Sequence, residues 1–159
     1  MSEVGGSVSP DDLKVFSLFV EFDEQGRSDL FELLEPLSLA AGESLFREGD
    51  EADTLYLLCE GSIRIKSEGC GDLSLLCGGS ALGVMSLMTI GAREAHAVAE
   101  GDCELLTLSR AGFMRLAEDA PRTACRLAEA AVAELATELR PNLARIKGEF
   151  SSDEIVFSG

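Results

Sequence analysis

Leu39 to Ile65 reads LAAGESLFREGDEADTLYLLCEGSIRI, and this stretch decides the fold. Short apolar runs alternate with turn residues. Leu45-Phe46-Arg47 is followed by Glu48-Gly49-Asp50-Glu51. Leu55 to Leu58 is followed by Glu60-Gly61, and Ile63-Arg64-Ile65-Lys66 alternates apolar and polar. Period-two alternation broken by Gly and Asp describes short antiparallel strands, not helices.

The same rhythm continues downstream. Glu68-Gly69-Cys70-Gly71-Asp72 is a turn, Leu73 to Cys77 a strand, and Gly78-Gly79 a turn. Ala95 to Ala99 and Glu104 to Leu108 are strands on either side of Glu100-Gly101-Asp102. Only Met85 to Ile90 reads as a helical interruption. Strands at roughly 8–12-residue spacing predict a β jelly-roll barrel over residues 39–108.

Helical patterns flank the barrel. Ser9-Pro10-Asp11-Asp12 is a helix start, and Leu13, Phe16 and Phe19 fall near one face. Leu30, Phe31, Leu33, Leu34 and Leu37 make a second helical pattern, disturbed at its end by Pro36. Ser109 caps a helix carrying Phe113, Met114 and Leu116. Pro121 opens the run RTACRLAEAAVAELATEL, whose stripe is Leu127, Val132, Leu135 and Leu139, and Pro141 ends or kinks it. The expected organisation is a tail at 1–10, N-terminal helices at 11–38, the barrel at 39–108, C-terminal helices at 109–147 and a polar tail at 148–159. The fold class is mainly β with flanking helices.

Composition narrows the function classes. The 159 residues are 46% hydrophobic, enough for a core and against a disordered chain. With 13 basic and 29 acidic residues the net charge is −16, a field that repels phosphate backbones. Residues 1–60 hold 3 basic and 15 acidic groups, so the first third carries −12 of it. That region reads as a solvated face, or as a docking surface for a basic protein partner.

Five cysteines, an odd number without a CxxC, suit buried thiols in a reducing cytosol better than a disulfide framework. MSEVGGSVSP shows no export signal, which predicts a cytoplasmic setting. Leu73 to Ala92 carries no charge, but its four glycines, three serines and a threonine argue against a membrane span. Neither GxGxxG, GxxxxGK[ST], HExxH nor GxSxG occurs, so no enzyme and no metal site is expected. The lone histidine, His96, reads as a structural or surface residue rather than a haem ligand.

The ordered set of motifs resembles the cyclic-nucleotide-binding domain family, which includes the sensor halves of catabolite-activator-type bacterial regulators. The resemblance covers about residues 13–140. It rests on the segment quoted above, on ALGVMSLMTIGAREAHAVAE at 81–100, on CELLTLSRAGFMRLAE at 103–118, and on the spacing of Gly42, Gly49, Gly61 and Gly83.

The resemblance implies a phosphate-binding cassette formed by Leu82, Gly83, Val84, Met85, Ser86, Arg93 and Glu94. In such a cassette Gly lets the backbone approach the ligand, helix amides and an Arg grip the cyclic phosphate, and a Glu after the Gly accepts the ribose 2′-hydroxyl. Leu82, Gly83 and Arg93 match. Val84 stands at the Glu position, so the ribose acceptor is lost, at about 1–3 kcal/mol for an unpaired sugar hydroxyl. Glu94 replaces a small residue and either adds a negative charge near the phosphate or pairs with Arg93. The backbone amides of Ser86 and Glu94 remain candidate anion donors.

Two partner expectations follow from the resemblance. The alanine-rich helix lids the ligand and pairs with its mate in a homodimer through Leu127, Val132, Leu135 and Leu139. A helix-turn-helix follows this helix in the regulators, but 18 residues after Pro141 are too few for one, so no direct nucleic-acid binding is expected. The expected function is a stand-alone regulatory module with weak or no cyclic-nucleotide binding, signalling through a small anionic ligand or a protein partner. A genuine cyclic AMP or cyclic GMP receptor and a ligand-free dimeric scaffold are the alternatives. No cofactor is assigned.

Overall fold

The structure is a computed structural model that describes residues 8–149. The tails expected at 1–10 and 148–159 fall mostly outside that span. Two 3-10 turns, Pro10–Val15 and Ser17–Phe19, lead into α1, Glu24–Phe31. Strands follow as β1 Glu35–Leu39, β2 Ser44–Phe46, β3 Glu51–Ala52, β4 Thr54–Glu60, β5 Ser62–Ser67 and β6 Gly71–Cys77. After β7 Ala81–Leu82 comes a 3-10 turn, Val84–Leu87. Then come β8 Gly91–Ala92, β9 His96–Ala99 and β10 Cys103–Ser109, followed by α2 Arg110–Asp119 and α3 Pro121–Glu149.

All pairings are antiparallel. One sheet runs β1-β10-β4-β7, the second β2-β9-β5-β6, and β3 pairs with β8 as a short ribbon. Leu39, Leu58, Leu82 and Leu105 of the first sheet meet Ile63, Ala97 and Ala99 of the second, so the two sheets close on one apolar layer. The opposite faces of β4 and β10 supply Leu55, Leu57, Leu106 and Leu108 to a second layer with Phe16, Phe19, Leu30, Leu116 and Leu127. These two strands are buried on both faces, and their sequences therefore read as nearly continuous apolar runs. The mainly-β class with flanking helices is what the structure has.

The N-terminal segments differ from expectation. Asp23 caps the start of α1 by accepting from the Gly26 N–H at 2.7 Å, and the helix ends at Phe31. Leu37 and Pro36 lie in β1, an edge strand, where a missing N–H is tolerated. The first strand thus starts at Glu35, inside the stretch read as helical.

Helix α3 passes through Pro141 to Glu149. Of the two alternatives read at Pro141, an end or a kink, the end is not observed. Residues 137–142 are exposed, so water can serve a carbonyl that loses its donor, and the Asn142 side-chain amide donates to the Glu138 carbonyl at 3.0 Å. The cysteines also differ: Cys103 is buried, but Cys70, Cys77 and Cys125 are exposed. The first two sit on or beside the edge strand β6, and Cys125 on the outer face of α3. Among the described residues no helix is long and apolar enough to cross a membrane.

Leu127 is 0% exposed within its own core layer. Leu127→Ala is expected to cost about 2–5 kcal/mol, read by urea unfolding, whereas Met114→Ala, at a 56% exposed position, should stay within about 0.5 kcal/mol.

Candidate functional site

The ribbon β3–β8 builds the site. Glu51 pairs with Ala92 and Ala52 with Gly91. Beyond it the Arg93 N–H donates to the Asp50 carbonyl at 2.7 Å, and the Arg93 carbonyl accepts from the Gly49 N–H at 2.8 Å. That register fixes the Arg93 backbone and turns its side chain inward.

The Arg93 side chain is 7% exposed. Its Nη1 donates to Ser86 Oγ at 3.0 Å and its Nη2 to the Thr54 carbonyl at 2.8 Å. The guanidinium carbon lies 4.3 Å from the Phe46 ring centre and 5.4 Å from that of Tyr56. Nε is buried without a partner. Burial pushes the guanidinium below its ordinary pKa, while Tyr56, Asp53 and Asp50 pull it the other way.

Gly83 adopts a left-handed conformation, φ 79°. A Cβ there would meet Arg93 Nη1, the Thr54 carbonyl and Ser86 Oγ, so glycine is required both by backbone angle and by space. The structure therefore gathers Gly83, Ser86 and Arg93 into one cluster. Ser86 is 6% exposed, and its N–H donates to the Gly83 carbonyl at 2.9 Å inside the 3-10 turn. That amide is not available to an anion, contrary to the expectation from sequence.

Leu82 belongs to the inter-sheet core. Val84 is half-buried against the helix-side core, and Met85 is half-buried beside it. Glu94 is exposed. The expected alternative of an Arg93–Glu94 ion pair is not formed: Arg93 faces two neutral oxygens and two rings, because its side chain points inward and that of Glu94 outward.

Residues outside the sequence reading complete the cluster. Phe46 and Tyr56 come from β2 and β4, with ring centres 5.9 Å apart. Thr54 contributes a backbone oxygen, which no sequence pattern reveals. Arg110, the first residue of α2, donates through Nη2 to the carbonyls of Ala52 at 3.0 Å, Ser86 at 2.7 Å and Thr89 at 2.6 Å. It ties the cassette turn to the helix that leads into α3.

The lid residues do not act as one stripe. Val132, Leu135 and Leu139 are 64%, 42% and 49% exposed, while Leu127 is buried in its own subunit's core. At 3.6 residues per turn, Leu127 lies about 80–140° around the helix from the other three. Ile146, 40% exposed, extends the exposed stripe.

His96 Nδ1 accepts from the Glu48 N–H at 3.0 Å. Its Nε2 stands 3.8 Å from Glu48 and 3.6 Å from Glu68. These three side chains lie within 4.8 Å of one another. With its lone pair at Nδ1 accepting the Glu48 N–H, the neutral ring carries its proton on Nε2 and presents a donor where a metal needs a lone pair. The cluster ties β9 to two turns.

Inward-facing Arg93, left-handed Gly83 and a short 3-10 turn thus lie together within a two-sheet β jelly roll. A family model, the cyclic nucleotide-binding domain, matches residues 36–120. The chain belongs to that family. It is 39% identical over 91 residues to the cyclic AMP receptor protein of Thermus thermophilus, covering 55% of this chain and 42% of that protein. The chain thus spans less than half the length of that relative. Among solved structures, the cyclic nucleotide-binding-like protein from Brucella abortus is 31% identical with a TM-score of 0.61, covering 69% of this chain and 99% of that one. The N-terminal domain of a transcriptional regulator from Streptomyces coelicolor superimposes with a TM-score of 0.72 at 27% identity, over 80% of this chain and 94% of that one.

Proposed function

We propose that the chain is a regulatory module of the cyclic nucleotide-binding type that binds cyclic AMP and cyclic GMP weakly or not at all. It signals through a protein partner or through another small anion. One observation carries this reading: Arg93, the residue that would grip a cyclic phosphate, spends both terminal nitrogens on Ser86 and the Thr54 carbonyl. Val84 offers no acceptor for a ribose hydroxyl, so the phosphate alone would have to offset the loss of those bonds. The Arg110 bonds supply a route from the cassette turn to α2 and α3. A reducing, cytoplasmic setting accords with the exposed free thiols.

The receptor reading has one observation in its favour, the buried Arg93 Nε without a partner. Thermal unfolding separates the two. A ligand at 1,000 times its dissociation constant stabilises by about 4 kcal/mol, which is about 8–16 °C for a domain of this size. With about 1 mM cyclic AMP or cyclic GMP the expected shift is below about 6 °C. A shift near 10 °C overturns the proposal and makes the chain a genuine receptor.

The module works as a homodimer through the exposed stripe of α3. Val132, Leu139 and Ile146 recur at heptad spacing, with Leu135 between the first two. Light scattering is expected to give twice the 16.9 kDa of one chain. Leu135→Lys with Leu139→Lys should return it to a monomer without unfolding it. A monomeric parent at high concentration contradicts this.

A further inference from the structure

On the opposite flank of α3, that helix and the turn Ser17–Phe19 enclose a groove of about 610 Å³. Its floor is apolar: Leu18 and Phe22 are buried, and Ala130 and Ala133 are too small to fill the space against them. Val20, 66% exposed, stands at the edge. The rim carries Glu21, Glu129, Glu134 and Glu138 against one cation, Arg126. Ser17 Oγ donates to Glu134 at 3.0 Å and pins the two walls together. At 3.6 residues per turn, Ala130, Ala133 and Thr137 point away from the Val132–Leu135–Leu139 stripe. A second copy on that stripe would leave the groove open, so this inference stands apart from the dimer reading and from the cassette.

We infer that this groove docks a basic amphipathic helix of a partner protein. An apolar floor between acidic rims fits leucine-like side chains at i, i+3, i+4 and i+7 with lysine or arginine on either side. Charge excludes the other occupants. The chain's own residues 150–159, FSSDEIVFSG, add Asp153 and Glu154 and no cation. Nucleic acid and anionic lipid meet the same repulsion.

The test uses the full chain and a fluorescent synthetic peptide with leucines at i, i+3, i+4 and i+7 and lysines elsewhere, read by anisotropy. A second peptide replaces every lysine with glutamate. The lysine peptide should bind and the glutamate peptide should not. Glu129→Gln, Glu134→Gln and Glu138→Gln together should weaken binding by about tenfold or more. Glutamine keeps the acceptor for Ser17. Ala133→Trp, which fills the groove from an exposed position, should weaken it by a similar factor. Glu43→Gln, Glu51→Gln and Glu60→Gln together remove equal charge elsewhere and should change it less than about twofold. The inference is overturned if the lysine peptide does not bind, if both peptides bind alike, if Ala133→Trp has no effect, or if the distant triple variant matches the groove triple. Should Ala133→Trp fail to fold, the two glutamine triples decide alone.

Discussion

Replacing Arg93 with alanine is expected to lower the melting temperature of the ligand-free protein by about 5–15 °C, corresponding to about 2–4 kcal/mol. The side chain is 7% exposed and bridges β4 and the cassette turn through Thr54 and Ser86. Hydrogen bonds from a charged donor contribute about 1.5–3 kcal/mol each, and the cation over Phe46 and Tyr56 adds about 0.5–2 kcal/mol. Desolvation of the guanidinium offsets part of this sum, since burial already disfavours its charged form. Truncation also opens a cavity against the two rings and leaves the Thr54 carbonyl unpaired. An arginine kept only to grip a ligand would behave differently: removing it from ligand-free protein would cost little or would stabilise. Arg93→Met, which keeps the apolar stem, should recover part of the packing and none of the hydrogen bonds. A melting temperature for Arg93→Ala within about 2 °C of the parent would show that the inward bonds hold nothing together.

The second large effect is a gain. Val84→Glu with Glu94→Ala is expected to raise cyclic AMP affinity by about 10- to 100-fold, which is about 1.4–2.7 kcal/mol. The carboxylate supplies the missing 2′-hydroxyl acceptor, and the second change removes a negative charge from the cassette's mouth. The pattern of the gain matters more than its size. The parent has no ribose acceptor, so it should bind cyclic AMP and its 2′-deoxy analogue alike. The double variant should prefer the ribose form by about tenfold. Val84 is half-buried against the helix-side core, so the variant should also be less stable, because a carboxylate there is partly desolvated. Binding curves for both nucleotides, run beside a melt, check all of this. No gain, or an equal gain for the deoxy analogue, would mean that the sugar contact is not what the cassette lacks.

Particular residues explain what was legible in the sequence. Ile63 and Ile65 alternate with Arg64 and Lys66, and that period of two gave β5 directly. The strands β4 and β10 were equally plain as apolar runs bounded by Gly and Asp. Strand β1 was hidden because Leu30, Leu33, Leu34 and Leu37 fall at helical spacing, although only Leu30 lies in a helix. The short ribbon of β3 and β8, two residues on each side, is too brief to show any period. Leu127 was grouped with Val132, Leu135 and Leu139 because an alanine-rich helix offers few large residues to set its inner face.

The candidate site was half legible. Gly83, Ser86 and Arg93 were named through the family resemblance, and the structure places them in contact. Where the guanidinium goes was not readable. Its partners are a backbone carbonyl and two rings on separate strands, and its apparent neighbour in sequence, Glu94, turns to solvent because successive side chains of extended chain point to opposite sides. The Arg110 clasp was missed for the same reason, since all its acceptors are carbonyls.

Calorimetric titration of cyclic AMP into the unaltered full chain, purified without nucleotide, tests the central claim most directly. An Arg93 held by Ser86 and Thr54 beside an acceptor-less Val84 predicts a dissociation constant weaker than about 100 μM. One-to-one binding at about 1 μM or tighter, with a heat that disappears in Arg93→Met, would contradict it.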